Sequence, residues 1–190
     1  MNRRTLLRTA AATVVVTACG STAATPGGTA TRSPSPSPAS VASKATVELA
    51  KGGSFSFALR ADKAPNTVAN FAKKSRAGEY DGTTFHRVVP GFVAQGGDPL
   101  SKTLPAGDPR LGTGGGQQPT ELSDLPFVTG AVGVARGGDI KVSNDAQFYV
   151  CLADAPHLNG QYTNFGQVTT GQDVVSGIKI GDKIKTIKIE

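Results

Sequence analysis

The stretch ATVELAKGGSFSFALR alternates apolar and polar positions on both sides of Gly52-Gly53. Val47 and Leu49 are answered by Phe55, Phe57 and Leu59, the period-two pattern of two strands joined by a tight turn. The period then changes. In APNTVANFAKKSRAG, Val68, Phe71, Ala72 and Ser75 share one narrow face, Pro65 sits where a first helical turn tolerates proline, and Gly78 supplies a stop, so one amphipathic helix is expected. Strand-like runs follow at 84–89, 92–95, 131–135, 147–152, 163–168 and 183–189, separated by glycine and proline. A second short helix is expected at 173–178. Many short strands with two helices predict a mainly β domain, a closed antiparallel barrel capped by two helices, because closure removes exposed sheet edges.

The chain before this domain reads differently. Residues 1–18 have a basic start (Arg3, Arg4, Arg8), an uncharged run from Thr9 to Ala18 and small residues before Cys19, the layout of an export signal. The run is too short for a bilayer-spanning helix, which takes about twenty apolar residues. Val16-Thr17-Ala18-Cys19 resembles a bacterial lipobox, which implies lipidation of Cys19, and the paired arginines resemble a twin-arginine signal. Residues 19–44 contain almost no large apolar side chain and are expected to form a Ser/Pro/Thr-rich disordered tether, spanning roughly 25 to 30 Å as a flexible coil. Residues 45–190 are enough for one domain with a proper core.

Composition narrows the partners. Residues 1–18 carry three arginines and no acid, so their removal lowers the net charge from +6 to +3, too mild and too evenly spread to argue for nucleic acid. A monomer is expected. With Cys19 acylated, Cys151 has no partner for an intrachain disulfide and is expected to pack as a small hydrophobe.

Several chemistries fail on the residues. The run 112–116 looks like a phosphate loop, but Gln117, Gln118 and Pro119 follow where lysine and Ser/Thr are needed, so it reads as an ordinary flexible part of the long loop 98–121. The two histidines, His86 and His157, lack partners at metal-ligand spacing, so neither metal nor cofactor is expected. There is no Gly-x-Ser-x-Gly elbow. His86, within a strand, reads as a hydrogen-bonded structural residue. Arg87 raises the sharper question, because it stands among Phe85, Val88, Val89, Phe92 and Val93, and an unpaired buried guanidinium costs several kcal/mol or more. It needs a partner, or a ligand that supplies one. What remains is a set without nucleophile or general base: Arg87, Gln95, Phe92, Tyr149, Val93 and Leu158. Such a set suits a reaction that breaks no covalent bond.

The segments YDGTTFHRVVPGFVAQGGD, GAVGVAR, AQFYV and HLNGQYTNFGQV, in this order and approximate spacing, resemble the cyclophilin family of peptidyl-prolyl cis-trans isomerases across 46–190. The resemblance implies an eight-stranded antiparallel barrel with two helices. It also implies that Arg87 is the catalytic cation, with Gln95 and Phe92 beside it, and that Val93, Tyr149 and Leu158 surround the proline ring. The backbone of Ala135 and Arg136 would hold the residue before proline, and Gln147 would help hold the peptide. His157 and Tyr162 stand where the family has a tryptophan or a histidine, which puts cyclosporin binding in doubt. Val93 replaces a common methionine, Arg136 a common asparagine, and Tyr149 a phenylalanine, adding a hydroxyl to the pocket. The resulting expectation is an exported, lipid-anchored isomerase acting on proline-containing segments of unfolded or refolding proteins. The alternatives are a cyclophilin-shaped holdase with little turnover and, more distantly, a surface adhesin that has kept the fold.

Overall fold

The structure is a computed structural model that describes residues 42–190. The expected export signal, Cys19 and the tether up to residue 41 lie outside the described residues. The tether does not extend to Lys44. Ala42 is already buried, and the N–H groups of Ser43 and Lys44 both donate to the carbonyl of Glu190.

The opening hairpin joins β1 (Lys44–Leu49) to β2 (Ser54–Leu59). Its turn needs glycine, because Gly52 and Gly53 have φ values of 93° and 86°. Helix α1 (Pro65–Arg76) carries proline in its first turn, but Ala64 offers no side-chain cap. The Glu121 carboxylate instead accepts the N–H groups of Asn66 and Thr67 at 3.1 and 2.7 Å. Burial alone would raise this carboxyl's pKa, but these hydrogen bonds at a helix N-terminus outweigh it and hold the group below its ordinary value.

Strands β3 (Phe85–Val89) and β4 (Val93–Gly96) form the next hairpin. After it come β5 (Gln117–Pro119), β6 (Ala131–Arg136), β7 (Val142–Cys151), β8 (Asn164–Thr170), the short helix α2 (Gln172–Ser176) and β9 (Ile184–Ile189). Eight strands follow one antiparallel path, β3-β4-β7-β6-β8-β2-β1-β9, and β5 pairs separately with the start of β7. The sheet curls into a half-barrel. Its edges meet just before β3 and β9, at an isolated antiparallel bridge, Thr84 to Lys183, flanked by backbone hydrogen bonds of Gly82 and Phe85 with Ile184, Asp182 and Gly181, and β3 and β9 themselves do not pair. The expected full closure is therefore not formed as a continuous ladder. No helix among the described residues is long and apolar enough to cross a membrane.

Alternation along the strands sorts the core into two parts. On β7, Phe148 and Val150 face the main core, whereas Tyr149 and Cys151 belong to a second cluster with Val93, Phe127, Ala131, Ala155 and Leu158. Phe71 of α1 fills the concave side, its ring 5.1 to 5.7 Å from those of Tyr80, Phe165, Phe148 and Phe57. Burying such a side chain is worth about 1.5 to 3 kcal/mol. The second cluster forms the floor of the site.

Candidate functional site

The turn between β3 and β4 fixes one wall. Val89-Pro90-Gly91-Phe92 closes with the Phe92 N–H donating to the Val89 carbonyl at 3.0 Å, and Gly91 has φ 69°. Proline followed by a left-handed glycine is what a type II turn requires. Phe92, Val93, Tyr149 and Leu158 then form an apolar pocket, Leu158 being delivered by the 3-10 turn Pro156–Leu158. The cavity holds about 260 Å³ and is also lined by Arg87, Gln95, Ala135, Arg136 and Tyr162.

Nine of the residues named from sequence thus converge on one cavity, and two do not line it. Gln147 is 1% exposed and sits behind Gln95, whose Nε2 donates to its Oε1 at 3.0 Å. Gln147 Nε2 in turn donates to the Gly114 carbonyl at 2.7 Å. Its place in the structure is that of a support for Gln95. His157 is exposed and stacks on the outer side of the pocket wall, its ring 5.3 Å from that of Phe92.

Arg87 is not buried, contrary to the reading of its neighbours. A bulge between Phe85 and Arg87 shifts the register against β4 and turns Arg87 out of the core that buries Phe85, a common use of bulges beside functional sites. The exposed guanidinium lies opposite Gln95, Nη1 to Oε1 at 3.5 Å, and 5.9 Å from the centre of the Phe92 ring. It forms no ion pair among the described residues. A solvated cation needs no internal partner, so the desolvation argument does not apply. What distinguishes it is its position at the rim of an apolar cavity.

His86 also departs from expectation. Both ring nitrogens are buried and neither makes a hydrogen bond of good geometry, the Thr84 backbone being the one uncharged polar neighbour that acts on the ring. Burial lowers its pKa below the ordinary value, against the attraction of nearby Asp98. An unfolded histidine takes up its proton near pH 6.5, whereas the native ring resists it. Stability from this group is therefore fully present above that pH and is lost as the pH falls toward the folded pKa. Urea midpoints at pH 7.5 and 5.5 are expected to fall more for the wild type than for His86→Gln. Equal falls would remove His86 from the account.

Sequence reasoning missed Asp98. The loop 98–121 is not free: the Asp98 carboxylate, 0% exposed, accepts N–H groups of Leu100 (2.8 Å), Gly112 (2.5 Å) and Gly114 (3.4 Å). The Gly114 carbonyl receives Asn144 Nδ2 as well as Gln147 Nε2. A side chain at Gly114 would collide with Asp98 Oδ1, so glycine is needed for this approach. The available signal was a Gly-Asp-Pro segment followed by glycines at 112 and 114.

Cys151 is 0% exposed, and burial, with Asp154 adding to it, pushes its thiol pKa up to about 12. In a Cys19→Ser chain, native protein is expected to resist thiol reagents that label it promptly in denaturant. Rapid native labelling would show that the pocket floor opens. Tyr149 lies across from Gly133 in the β6–β7 register. Its hydroxyl is buried and unpartnered, and a Cβ at Gly133 would overlap its ring tip. Among the described residues no three His, Cys, Asp or Glu side chains gather as a metal cage.

A curled eight-strand sheet with two helices, and one cavity pairing a rim arginine with an apolar pocket, define the class. The chain belongs to the family described as cyclophilin type peptidyl-prolyl cis-trans isomerase/CLD, which matches residues 44–190, and it is a peptidyl-prolyl cis-trans isomerase. It is 44% identical over 138 residues to a probable peptidyl-prolyl cis-trans isomerase of Brucella suis, covering 70% of each chain. It is 39% identical over 146 residues to peptidyl-prolyl cis-trans isomerase B of Bacillus subtilis, covering 75% of this chain and 94% of that one. A crystal structure of a Cryptosporidium parvum cyclophilin-type isomerase, obtained in the presence of the dipeptide Ala-Pro, is similar with a TM-score of 0.67 and 25% identity, over 77% of this chain and 98% of that one.

Proposed function

We propose that this isomerase works outside the cytoplasmic membrane on proline-containing segments of unfolded or refolding proteins, tethered through an acylated Cys19, with Arg87 as its catalytic cation. The observation that carries the catalytic part is the cavity itself: a guanidinium without an ion-pair partner among the described residues stands beside the apolar pocket of Phe92, Val93, Tyr149 and Leu158 in a cavity of about 260 Å³.

Resonance gives the C–N bond of a peptide partial double-bond character, and unaided X-Pro bonds interconvert over tens to hundreds of seconds. At the twisted transition state that resonance is lost and the proline nitrogen regains a lone pair. Arg87 donates a hydrogen bond to this lone pair and so binds the twisted amide more tightly than either planar form, and only differential binding of this kind accelerates a step. Phe92, Val93, Tyr149 and Leu158 hold the ring. The twisted amide is the less polar state, so a pocket that excludes water favours it further. Gln95, braced by Gln147, keeps Arg87 and the peptide in register. The backbone of Ala135 and Arg136 offers the residue before proline an extended pairing. No bond is broken and no proton leaves, which agrees with a site built without nucleophile or base.

The test is refolding of a protein limited by prolyl isomerisation, with this domain at substoichiometric amounts. An isomerase speeds the slow phase, whereas a holdase suppresses aggregation at near-equal amounts and leaves that phase unchanged. A domain that does neither is an adhesin on a retained fold. The export and anchoring part rests on residues 1–19 of the sequence, and intact-mass measurement of cell-derived protein checks it. An acylated Cys19 as first residue is expected, and a mature chain beginning elsewhere rejects it.

A further inference from the structure

The cavity contains two guanidiniums, Arg87 and Arg136, and no carboxylate among its lining residues. Neither arginine forms an ion pair among the described residues. Unlike Arg87, Arg136 is held in place. Its Nε donates to the Gln161 carbonyl at 2.9 Å and its Nη1 to the Gly137 carbonyl at 2.8 Å, with Gly138 at 3.4 Å. Its guanidinium lies over the Tyr162 ring at 4.5 Å. Carbonyls and an aromatic face fix the plane of the group but leave its charge unneutralised, and Nη2 donates to no protein group among the described residues. A planar, partly committed guanidinium is pre-organised for an anion, since little side-chain freedom remains to be lost on pairing.

We propose that Arg136 selects substrates carrying an acidic side chain immediately next to the proline, the carboxylate pairing with the uncommitted edge of the guanidinium. The inference rests on the isomerase reading of the cavity and adds a substrate class to it. A carboxylate there satisfies Nη2 and screens the repulsion between Arg136 and Arg87. A lysine at the same place adds a third cation and is disfavoured. A neutral side chain gains neither effect.

The experiment measures kcat/KM by exchange spectroscopy for short peptides with Glu, Gln or Lys directly before proline, and with Glu or Gln directly after it. Wild type, Arg136→Gln and Arg136→Lys are compared at low salt and at 0.5 M salt, a concentration chosen because it shortens the Debye length to well under 10 Å. The wild type is expected to favour Glu over Gln by about three- to five-fold at one of the two positions, the range of a partly exposed ion pair. Lys should fall below Gln at the position before proline. The Glu-to-Gln ratio should shrink in salt, drop to about one in Arg136→Gln and survive in part in Arg136→Lys. Because the readout is a ratio within each variant, a general loss of rate does not disturb it. A wild-type ratio of about one at both positions, or a preference that persists in Arg136→Gln, overturns the proposal and leaves the isomerase reading standing. Absence of acceleration for every peptide by the wild type overturns that reading and this inference with it.

Discussion

Replacing Arg87 by alanine is expected to lower kcat/KM for prolyl isomerisation by about one to two powers of ten while the melting temperature stays near that of the wild type. A hydrogen bond to a charged group is worth ~1.5 to 3 kcal/mol net, which converts to that range of rate. The fold should be indifferent, because Arg87 is exposed, makes no ion pair among the described residues and touches Gln95 only at 3.5 Å. Arg87→Lys keeps the charge but loses the planar fork and should recover only part of the rate. Line-shape or exchange measurements on a prolyl peptide, beside a thermal melt, give both quantities. A fully active Arg87→Ala protein would place catalysis in the apolar pocket alone.

Asp98→Ala should have the largest effect on stability. One carboxylate with no solvent exposure satisfies three backbone N–H groups drawn from two ends of the same long loop. Removing it leaves those donors to find water or remain unpaired, at ~1 to 3 kcal/mol each when buried. A loss of about 3 kcal/mol, or roughly 10 °C in melting temperature, is expected. Activity should fall as well, below the new melting point, because the Gly114 carbonyl that Asp98 helps to place is what holds Gln147, and Gln147 holds Gln95. Asp98→Asn should rescue it only in part, since the amide keeps one acceptor oxygen and turns its NH2 toward the N–H group or groups at the other end. Gly114→Ala should resemble both, with its added carbon falling on Asp98 Oδ1 and 2.9 Å from Leu100 Cγ. A wild-type melting curve for Asp98→Ala would mean the loop is held by other contacts.

The parts legible in the sequence were those set by local period. The first hairpin, α1 and the central strands lie within a few residues of their expected positions because alternation and helical spacing are written in neighbouring side chains. The segment Val142-Ser143-Asn144-Asp145 falls outside the expected strand 147–152. In the structure it extends β7 because Gln117–Pro119 pairs with it, a partner too polar to announce itself as a strand. Pro65 and Gly78 marked the bounds of α1, but its N-terminal acceptor, Glu121, is distant in sequence. The pocket residues came from family-like segments, and the structure gathers nine of them on one cavity. The exposure of Arg87 was not legible, because a bulge, not its neighbours, decides which way it faces. Asp98 looked like turn punctuation, and its burial depends on a loop that returns only at Gly112 and Gly114. The meeting of the sheet edges at one bridge is a property of the whole curl and has no local signature.

The position of β1 bears on how the molecule comes into being. That strand is flanked by β2 on one side and β9 on the other, so the first residues of the domain complete their pairing only with the last. A nascent chain emerging from the ribosome can form the opening hairpin early, yet one side of β1 stays unpaired until synthesis is nearly finished. Non-local pairing of this kind slows folding to milliseconds or longer, and it leaves a window, at the end of translation, in which the sheet is still incomplete.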